Sequence, residues 1–253
     1  MNRTALLIRL SPWLFTIGLF VVWEAAVHIF KIPVFFLPPP TAIAQAFVDY
    51  AGPLARNSWI TLQTTLIGFA LAVGFGLLLG LVVGWSRAIY AGLYPLMIGF
   101  NAIPKVALVP ILVLWFGIYL KAKIIVVFLF AVFPVLINTY QGVRECDKNM
   151  LEVAHSFRSS EWQMWQDVLL PFAVPYIIAG IRLAIGRGLI GMIIAEFYTT
   201  ISGLGFMITR YANVFEMDKV FVPVIVLMVL GVSLTTLLKW TGRKIAPWSA
   251  ANR

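Results

Sequence analysis

The sequence predicts an all-α integral membrane protein with about six transmembrane helices, and three observations support this fold class. Hydrophobic residues make up 61% of the 253 residues and charged residues only 11%, against about a quarter charged residues in soluble domains. The mean hydropathy is +0.94. Six apolar runs, each long enough to cross a bilayer as a helix, account for most of the chain.

The first apolar run, residues 12–30, follows a short basic segment in the manner of a signal peptide. It lacks a clear small-x-small cleavage site and further spans follow, so we interpret it as a retained first helix. Glu24 and His28 lie four residues apart on this helix, where they either pair or reach separately toward the membrane interface.

A long connection, residues 31–60, follows the first helix. Three consecutive prolines, 38–40, predict an extended polyproline segment that cannot lie inside a membrane helix. Thr41 is the predicted N-cap of a short amphipathic helix that ends near Tyr50.

Small residues recur every four positions along the second predicted span, residues 61–85. This spacing places them on one face of a helix, where they allow a second helix to approach closely. We therefore predict a helix-packing face formed by Gly68, Ala72, Gly76, Gly80 and Gly84.

The third predicted span, residues 88–117, is interrupted at Pro104 and Pro110. Pro104 leaves backbone carbonyls without a donor, and Asn101 and Lys105 add polar groups near the bilayer middle. Inserting a lysine there costs roughly 2.5 to 3.5 kcal/mol, so such a charge usually faces a cavity or a partner.

The remaining predicted spans are residues 123–143, 175–196 and 219–240. Two arginines, Arg182 and Arg187, lie within the middle one of these. They are about 140° apart around a helix, so both cannot point straight into one cavity. Two interpretations stay open: contact with an anionic ligand, or structural bonding at a subunit interface.

The longest polar stretch, residues 152–171, separates the fourth and fifth predicted spans. Asp147 is the predicted N-cap of one short helix, and Ser160 with Gln163 forms a capping box for a second, joined by a tight turn. Apolar residues share one face of each helix: Met150, Val153, Ala154 and Phe157 on the first, and Trp162, Trp165, Val168 and Leu169 on the second. The pair is either a connector on the membrane surface or a docking element for a soluble partner.

This stretch resembles the cytoplasmic coupling loop of binding-protein-dependent ABC importer permeases, which has the pattern Glu-Ala-Ala, then a glycine, then Leu-Pro at its end. The matching residues are Glu152, Ala154, Leu170 and Pro171. Val153 replaces the middle alanine, and Arg158 stands where the glycine is expected. Because glycine adopts a positive φ readily and arginine poorly, we expect this turn to be built differently, through Ser159 and Ser160.

A wider resemblance covers roughly residues 60–240. The segment from Asn101 to Pro110, followed by Leu-Trp-Phe-Gly at 114–117, closely resembles the permeases of nitrate, sulfonate and taurine importers. That branch also has a Leu-Pro-Pro-Pro segment before its core and a Gly-Leu-Gly-aromatic segment after its fifth span, here residues 37–40 and 203–206.

The resemblance implies the type I ABC importer permease fold and a chain that is not itself an enzyme. Two copies, or this chain and a related permease, would form the translocation pathway. Two ATP-binding subunits, which hold ATP and magnesium, would dock on residues 152–171, and an extracytoplasmic binding protein would deliver the substrate. The residues implied in ATPase coupling are Glu152, Ala154, Arg158, Trp162, Leu170 and Pro171, and those in the pathway are Asn101, Lys105, Arg182 and Arg187.

The implied substrate is a small organic or inorganic anion, such as a sulfonate, taurine, nitrate or a carboxylate. Lys105 and the two arginines make an electropositive interior plausible, which suits an anion. The same family branch also serves thiamine-precursor pyrimidines, and that alternative stays open.

Basic residues predict the orientation. With six spans and a cytoplasmic N-terminus, ten lysines and arginines fall on the inner side and six on the outer side. This bias predicts that both termini and the polar loop are cytoplasmic, with the protein in a bacterial inner membrane. The predicted segments are an N-terminal tail, first helix and periplasmic connection (1–60), a permease core (61–245) that contains coupling loop 146–170, and a cytoplasmic tail (246–253).

Other functions fit the sequence less well. A secondary transporter would need internal repeats or intramembrane carboxylates, whereas no repeat is visible and Glu24 and Glu196 lie near predicted span ends. A membrane enzyme would need a catalytic constellation, and the sequence shows no metal-ligand cluster or nucleophile motif. The net charge of +9 comes from dispersed basic residues that flank apolar runs, so we expect no nucleic-acid partner.

Overall fold

The computed structural model describes residues 3–199 and 201–248, and the regular elements within those residues are helices. In chain order they are α1 (Arg3–Ile29), α2 (Pro40–Asp49), α3 (Ala51–Trp85), α4 (Arg87–Ala102), α5 (Lys105–Phe116), α6 (Leu120–Arg144), α7 (Lys148–Ser156), α8 (Glu161–Met164), α9 (Leu170–Thr199), α10 (Leu204–Ala212) and α11 (Met217–Ile245). A π-helical turn, Trp165–Leu169, joins α8 to α9. The all-α prediction is confirmed, and most of the predicted tail 246–253 lies outside the described residues.

Four helical stretches are long and apolar enough to cross a membrane: α3, α6, α11, and the continuous run from α8 through α9. Helices α4 and α5 meet at a bend of 90° and make a fifth crossing when they are counted as one broken span. A shorter apolar helical stretch, Leu14–Ile29, lies in α1. The prediction of a multi-span membrane protein is confirmed, and the first of the six predicted spans stays a prediction.

Pro104 explains why the third predicted span is broken. A proline has no N–H to donate, and it disfavours helical backbone at the residue before it. Ile103 is accordingly extended, with φ −62° and ψ 131°, and α5 begins directly after the proline, at Lys105. Pro110 lies inside α5, so the prediction of a second interruption there is wrong.

The carboxylate of Glu24 ties the start of α2 to α1. It accepts hydrogen bonds from the backbone N (3.1 Å) and Oγ1 (2.8 Å) of Thr41, and it lies 3.0 Å from Nε2 of His28. Of the two alternatives, the structure therefore has the pairing, and separate reach to the membrane interface is wrong. Helix α2 begins at Pro40, so the prediction of Thr41 as its N-cap is wrong. A side chain from another helix satisfies a first-turn donor instead. Helix α3 begins at Ala51, inside the predicted connection.

Helix α6 packs closely against both α3 and α9. The small residues of α3 lie against α6: a Cβ added at Gly80 would come 2.6 Å from Cβ of Thr139 and 2.9 Å from the carbonyl O of Leu136. A Cβ added at any of the other three glycines of this helix-packing face would also come within 3 Å of an atom of α6. The alanine of the face, Ala72, is fully buried. The backbones of α3 and α6 therefore approach as closely as small residues allow.

Candidate functional site

Both short helices of the polar loop have the predicted N-caps. At the start of α7, Oδ1 of Asp147 accepts a hydrogen bond from N of Asn149 (2.9 Å). At the start of α8, Oγ of Ser160 accepts from N of Gln163 (3.3 Å), and Oε1 of Gln163 accepts from N of Ser160 (2.8 Å). This reciprocal pair is a complete capping box. Local sequence therefore determines where each helix begins.

The turn between these helices uses Arg158 as its left-handed residue, with φ +51°. The N of Ser159 donates to O of Ala154 (3.1 Å), and the N of Arg158 donates to O of His155 (2.9 Å). These bonds form a Schellman motif, whose left-handed position is usually a glycine. The expectation that the turn is built differently is therefore wrong, because the arginine adopts the conformation of the expected glycine. A left-handed conformation costs an L-residue roughly 1–2 kcal/mol.

Helix α8 does not end before the membrane span. It continues through the π-helical turn into α9, so the helical stretch runs from Glu161 to Thr199. Pro171 accounts for the π turn, because it has no N–H and its ring clashes with the carbonyl four residues earlier. An extra residue in the turn relieves this clash, and N of Leu170 donates to O of Trp165, five residues earlier. The prediction of a second short helix separate from the fifth span is wrong.

The polar loop presents an apolar surface to its surroundings. Phe157 is 81% exposed and Trp162 is 68% exposed, and Met150 and Val153 are each more than half exposed. Ala154 is buried and lines a groove together with Met150, Val153 and Phe157. Clustered exposed apolar side chains of this kind mark protein–protein contact sites.

The other residues implied in ATPase coupling are exposed or half-buried: Glu152, Arg158, Leu170 and Pro171. Trp165 packs against Trp85, with 5.4 Å between the ring centroids, whereas Trp162 is exposed. The prediction that these two tryptophans of the loop share one face is therefore wrong. Trp165, Val168 and Leu169 belong instead to the packing between the loop and the membrane helices.

The bend at Pro104 brings together polar groups from α4 and α5. The Nζ of Lys105 donates to the backbone O (3.1 Å) and to Oδ1 (3.3 Å) of Asn101. It also lies 4.9 Å from the ring centroid of Phe133 on α6. The broken backbone and the asparagine side chain thus satisfy part of the hydrogen bonding of an otherwise costly intramembrane charge.

Arg187 of α9 is exposed and lies within electrostatic range of Lys105, so the two positive charges repel each other. Neither residue forms an ion pair within residues 3–199 and 201–248. Arg182 is half-buried, and its Nε is buried with no hydrogen-bond partner in the same part of the chain. The structure therefore brings Asn101, Lys105 and Arg187 together and does not join Arg182 to them. An anion between Lys105 and Arg187 would remove their repulsion.

A buried polar cluster at the opposite end of α9 from the polar loop was missed by the sequence reasoning. Glu196 is fully buried, although its position in the sequence placed it near a span end. Its Oε1 accepts a hydrogen bond from Oγ1 of Thr61 (2.8 Å) and lies 3.9 Å from Nζ of Lys123. These partners come from α3 and α6, far away in the sequence, so no local pattern connects them. The one sequence feature that pointed to this cluster was Glu196 itself, a carboxylate within an apolar helix.

These features are those of a membrane transport subunit: apolar helices that can cross a membrane, basic residues within those helices that form no ion pair in the described part of the chain, and a loop with exposed aromatic side chains. The chain belongs to the family of binding-protein-dependent transport system inner membrane components, whose family model matches residues 72–247.

Relatives that match over most of the chain confirm the suspected branch of this family. The chain is 34% identical to a putative aliphatic sulfonates transport permease protein of Escherichia coli, over 89% of this chain and 86% of the relative. It is 30% identical to the formylaminopyrimidine transport permease protein of Halalkalibacterium halodurans, over 94% and 96%. It is 29% identical to the taurine transport system permease protein of Escherichia coli, over 91% and 86%.

The solved structures include a similar fold. A chain of an inward-facing structure of the MetNI methionine ABC transporter matches with a TM-score of 0.64 at 20% identity. The match covers 79% of this chain and 97% of that chain. It supports the predicted importer permease fold.

Proposed function

We propose that this chain, a permease subunit of an ABC importer, forms the translocation pathway with a second permease subunit and is driven by ATP-binding subunits that dock on residues 152–171. ATP and magnesium bind to those partner subunits, and an extracytoplasmic binding protein delivers the substrate. The protein lies in a bacterial inner membrane with both termini in the cytoplasm, and residues 61–245 form its permease core.

The exposed apolar surface of the polar loop is the observation that carries this proposal. Phe157 and Trp162 stand out from α7, α8 and the turn between them, and burying either side chain against a partner would gain about 1.5–3 kcal/mol. Glu152 and Arg158 are exposed on the same loop, where they can form polar contacts around an apolar centre. This arrangement fits a docking site for a soluble subunit.

The continuous helix from Glu161 to Thr199 provides a route for mechanical coupling. Because α8 passes into α9 without a break, a displacement of the loop by closing ATP-binding subunits moves α9 with it. Helix α9 carries Arg182 and Arg187, and it packs closely against α6. ATP-driven motion at one end thus shifts the cationic site, as alternating access requires.

The cationic site supports a small anionic substrate. Lys105 and Arg187 lie within electrostatic range of each other, and neither has an ion-pair partner in the described part of the chain, so an anion fits the site better than a neutral molecule. Arg182 is a further candidate for contact with the substrate or with the second permease subunit. The names of the sulfonate and taurine permease relatives support this class of substrate.

A thiamine-precursor pyrimidine is the second candidate substrate, because a relative at 30% identity is named as a formylaminopyrimidine permease. Calorimetric titration of the cognate binding protein with a sulfonate, with taurine and with a formylaminopyrimidine distinguishes the two classes. Binding of the pyrimidine alone would contradict the anionic substrate.

Docking is tested by co-purification with a co-expressed ATP-binding subunit. Phe157→Ser removes an exposed side chain, so it leaves folding intact and is expected to weaken association about tenfold or more. Ala154→Trp, which fills the groove, is expected to have the same effect. The matched control is Phe36→Ser, since Phe36 is 77% exposed but lies outside the loop. Unchanged co-purification of the Phe157→Ser and Ala154→Trp variants would refute the docking site.

A further inference from the structure

A four-residue segment, 202–205, is held by side chains from three different helices. Oδ1 of Asn57 and Oγ1 of Thr61, both from α3, accept hydrogen bonds from its second and third backbone N–H groups at 2.7 and 2.9 Å. Oε2 of Glu196, from α9, accepts from the fourth N–H group at 2.8 Å. Nζ of Lys123, from α6, donates to the first carbonyl at 2.6 Å. Side chains of α3, α6 and α9 therefore hold the backbone of this segment through direct hydrogen bonds.

The charged members of this network are buried. The side chains of Glu196 and Lys123 are 0% and 3% exposed, and Oε1 of Glu196 also accepts from Oγ1 of Thr61. A buried ion pair persists only where hydrogen bonds satisfy its remaining donors and acceptors, and removing one partner leaves an uncompensated buried charge. The network is therefore a single unit in which each group depends on the others.

The two glycines of the segment leave the space that the Glu196 side chain occupies. Gly203 has φ +105°, and a Cβ added there would overlap the carboxylate of Glu196. A Cβ added at Gly205 would come 2.8 Å from Cβ of Glu196. The Gly-Leu-Gly sequence thus allows the start of α10 to close over Glu196, whose negative charge lies at the positive end of that helix.

Helix α10 connects this network to the outer helices. Leu204 and Met207 are buried in one apolar cluster with Ile43 of α2 and Val222 of α11. Fixing the first turn of α10 therefore also fixes the packing of α2 and α11. Helix α10 also packs directly against α9 and α3.

We propose that Asn57, Thr61, Lys123 and Glu196, here called the Glu196 clamp, are positioning residues for transport. The clamp joins α10, with α2 and α11, to α3, α6 and α9, so that this end of the protein moves as one body when α9 is displaced. This inference rests on the proposed ATP-driven function, because α9 is the helix continuous with the docking loop. A loosened clamp lets α9 move without α10.

The clamp is tested first on the permease alone, without an ATP-binding subunit. In a Cys146→Ser background, a Leu204→Cys reporter is buried and reacts slowly with maleimide. Thr61→Val keeps the side-chain volume but removes the hydroxyl that accepts from N of Leu204, whereas Thr61→Ser keeps the hydroxyl. Labelling is expected to rise about tenfold or more in Thr61→Val and to stay unchanged in Thr61→Ser.

Native Cys146, buried at the other end of α9, is the second reporter. In a chain without Leu204→Cys it controls for general unfolding and is expected to label equally slowly in all Thr61 backgrounds. Equal labelling of the Leu204→Cys reporter in the Thr61→Val and Thr61→Ser backgrounds overturns the clamp. A rise at both reporters in Thr61→Val also overturns it, because the change would then be global.

The second test measures ATP hydrolysis by the reconstituted importer. Thr61→Val is expected to assemble with native basal hydrolysis and to lose most of the stimulation by the loaded binding protein, while Thr61→Ser keeps it. Native stimulation in a Thr61→Val protein whose reporter labels rapidly would reduce the clamp to a structural role and overturn the proposal. The labelling test needs no ATP, so it separates the two failures. Expected labelling without any stimulation in the unmodified chain contradicts the proposed function, whereas normal stimulation with unchanged Leu204→Cys labelling in Thr61→Val contradicts the clamp.

Discussion

Arg158 shows that one residue can keep a backbone conformation that its side chain disfavours. The Asp147 cap fixes the start of α7 and the capping box fixes the start of α8, and Arg158, in the turn between the two helices, has a left-handed conformation. The hydrogen bonds of the Schellman motif offset the strain. The exposed guanidinium can form polar contacts on the proposed docking surface that a glycine cannot.

The conformation of Arg158 predicts opposite effects for two substitutions. Arg158→Gly removes the left-handed strain and is expected to leave the melting temperature in detergent unchanged or raised. Arg158→Val adds a β-branched residue at positive φ and is expected to destabilise the protein by about 1–2 kcal/mol. Thermal unfolding of both variants checks the conformation. A lower melting temperature for Arg158→Gly than for Arg158→Val would contradict it.

Cys146 is buried between the end of α6 and the start of α9. Burial, with a smaller contribution from the charge of Asp147, raises the pKa of its thiol. Since the thiolate is the reactive form, Cys146 is expected to react slowly with maleimide at neutral pH and faster as pH rises toward the raised pKa. The control is Ser156→Cys in a Cys146→Ser background, an exposed position on α7. Equal rates at pH 7 for both thiols would contradict the burial.

At the scale of the elements, the contact between α3 and α6 depends on residue size. Helical spacing of small residues predicts such a face, but only the structure shows which helix covers it. The bend at Pro104 is likewise predictable from one residue. The approach of Lys105 to Arg187 is not, because it depends on how two helices pack.

Two glycines on α3 provide a matched test of this contact. Gly80→Ala places a Cβ 2.6 Å from Cβ of Thr139 and is expected to destabilise the subunit by about 1–3 kcal/mol. Gly74→Ala has nothing within 4 Å of the new Cβ and gains helix propensity, so it is expected to be neutral or stabilising by up to about 1 kcal/mol. The measurement is the melting temperature of each purified variant. Equal effects would mean that Gly80 does not lie at a close helix contact.

At the scale of the whole molecule, composition and periodicity predict the membrane class and most spans, because apolar length alone decides whether a helix crosses a bilayer. Capping residues predict where α7 and α8 begin, since capping is local. The Glu196 clamp could not be predicted, because Glu196 meets Thr61 across 135 residues of sequence. The π turn was missed because Pro171 permits either a helix end or an inserted residue.

Three sites lie along α9 and the loop continuous with it: the proposed docking surface at the polar loop, the proposed cationic site near Arg187, and the Glu196 clamp at the far end of α9. Helix α9 is continuous with the loop at one end and hydrogen-bonded to the start of α10 at the other. Under the proposed function, this continuity lets ATP-binding subunits docked on the loop move the far end of α9.

Uptake into vesicles tests the central claim most directly. The chain is reconstituted with its ATP-binding subunits and its loaded binding protein, and accumulation of radiolabelled substrate is followed with and without ATP. We expect accumulation that needs both ATP and the binding protein, and that is lost in the Phe157→Ser variant. Accumulation that a proton or sodium gradient drives in the absence of ATP would contradict this account and identify a secondary transporter instead.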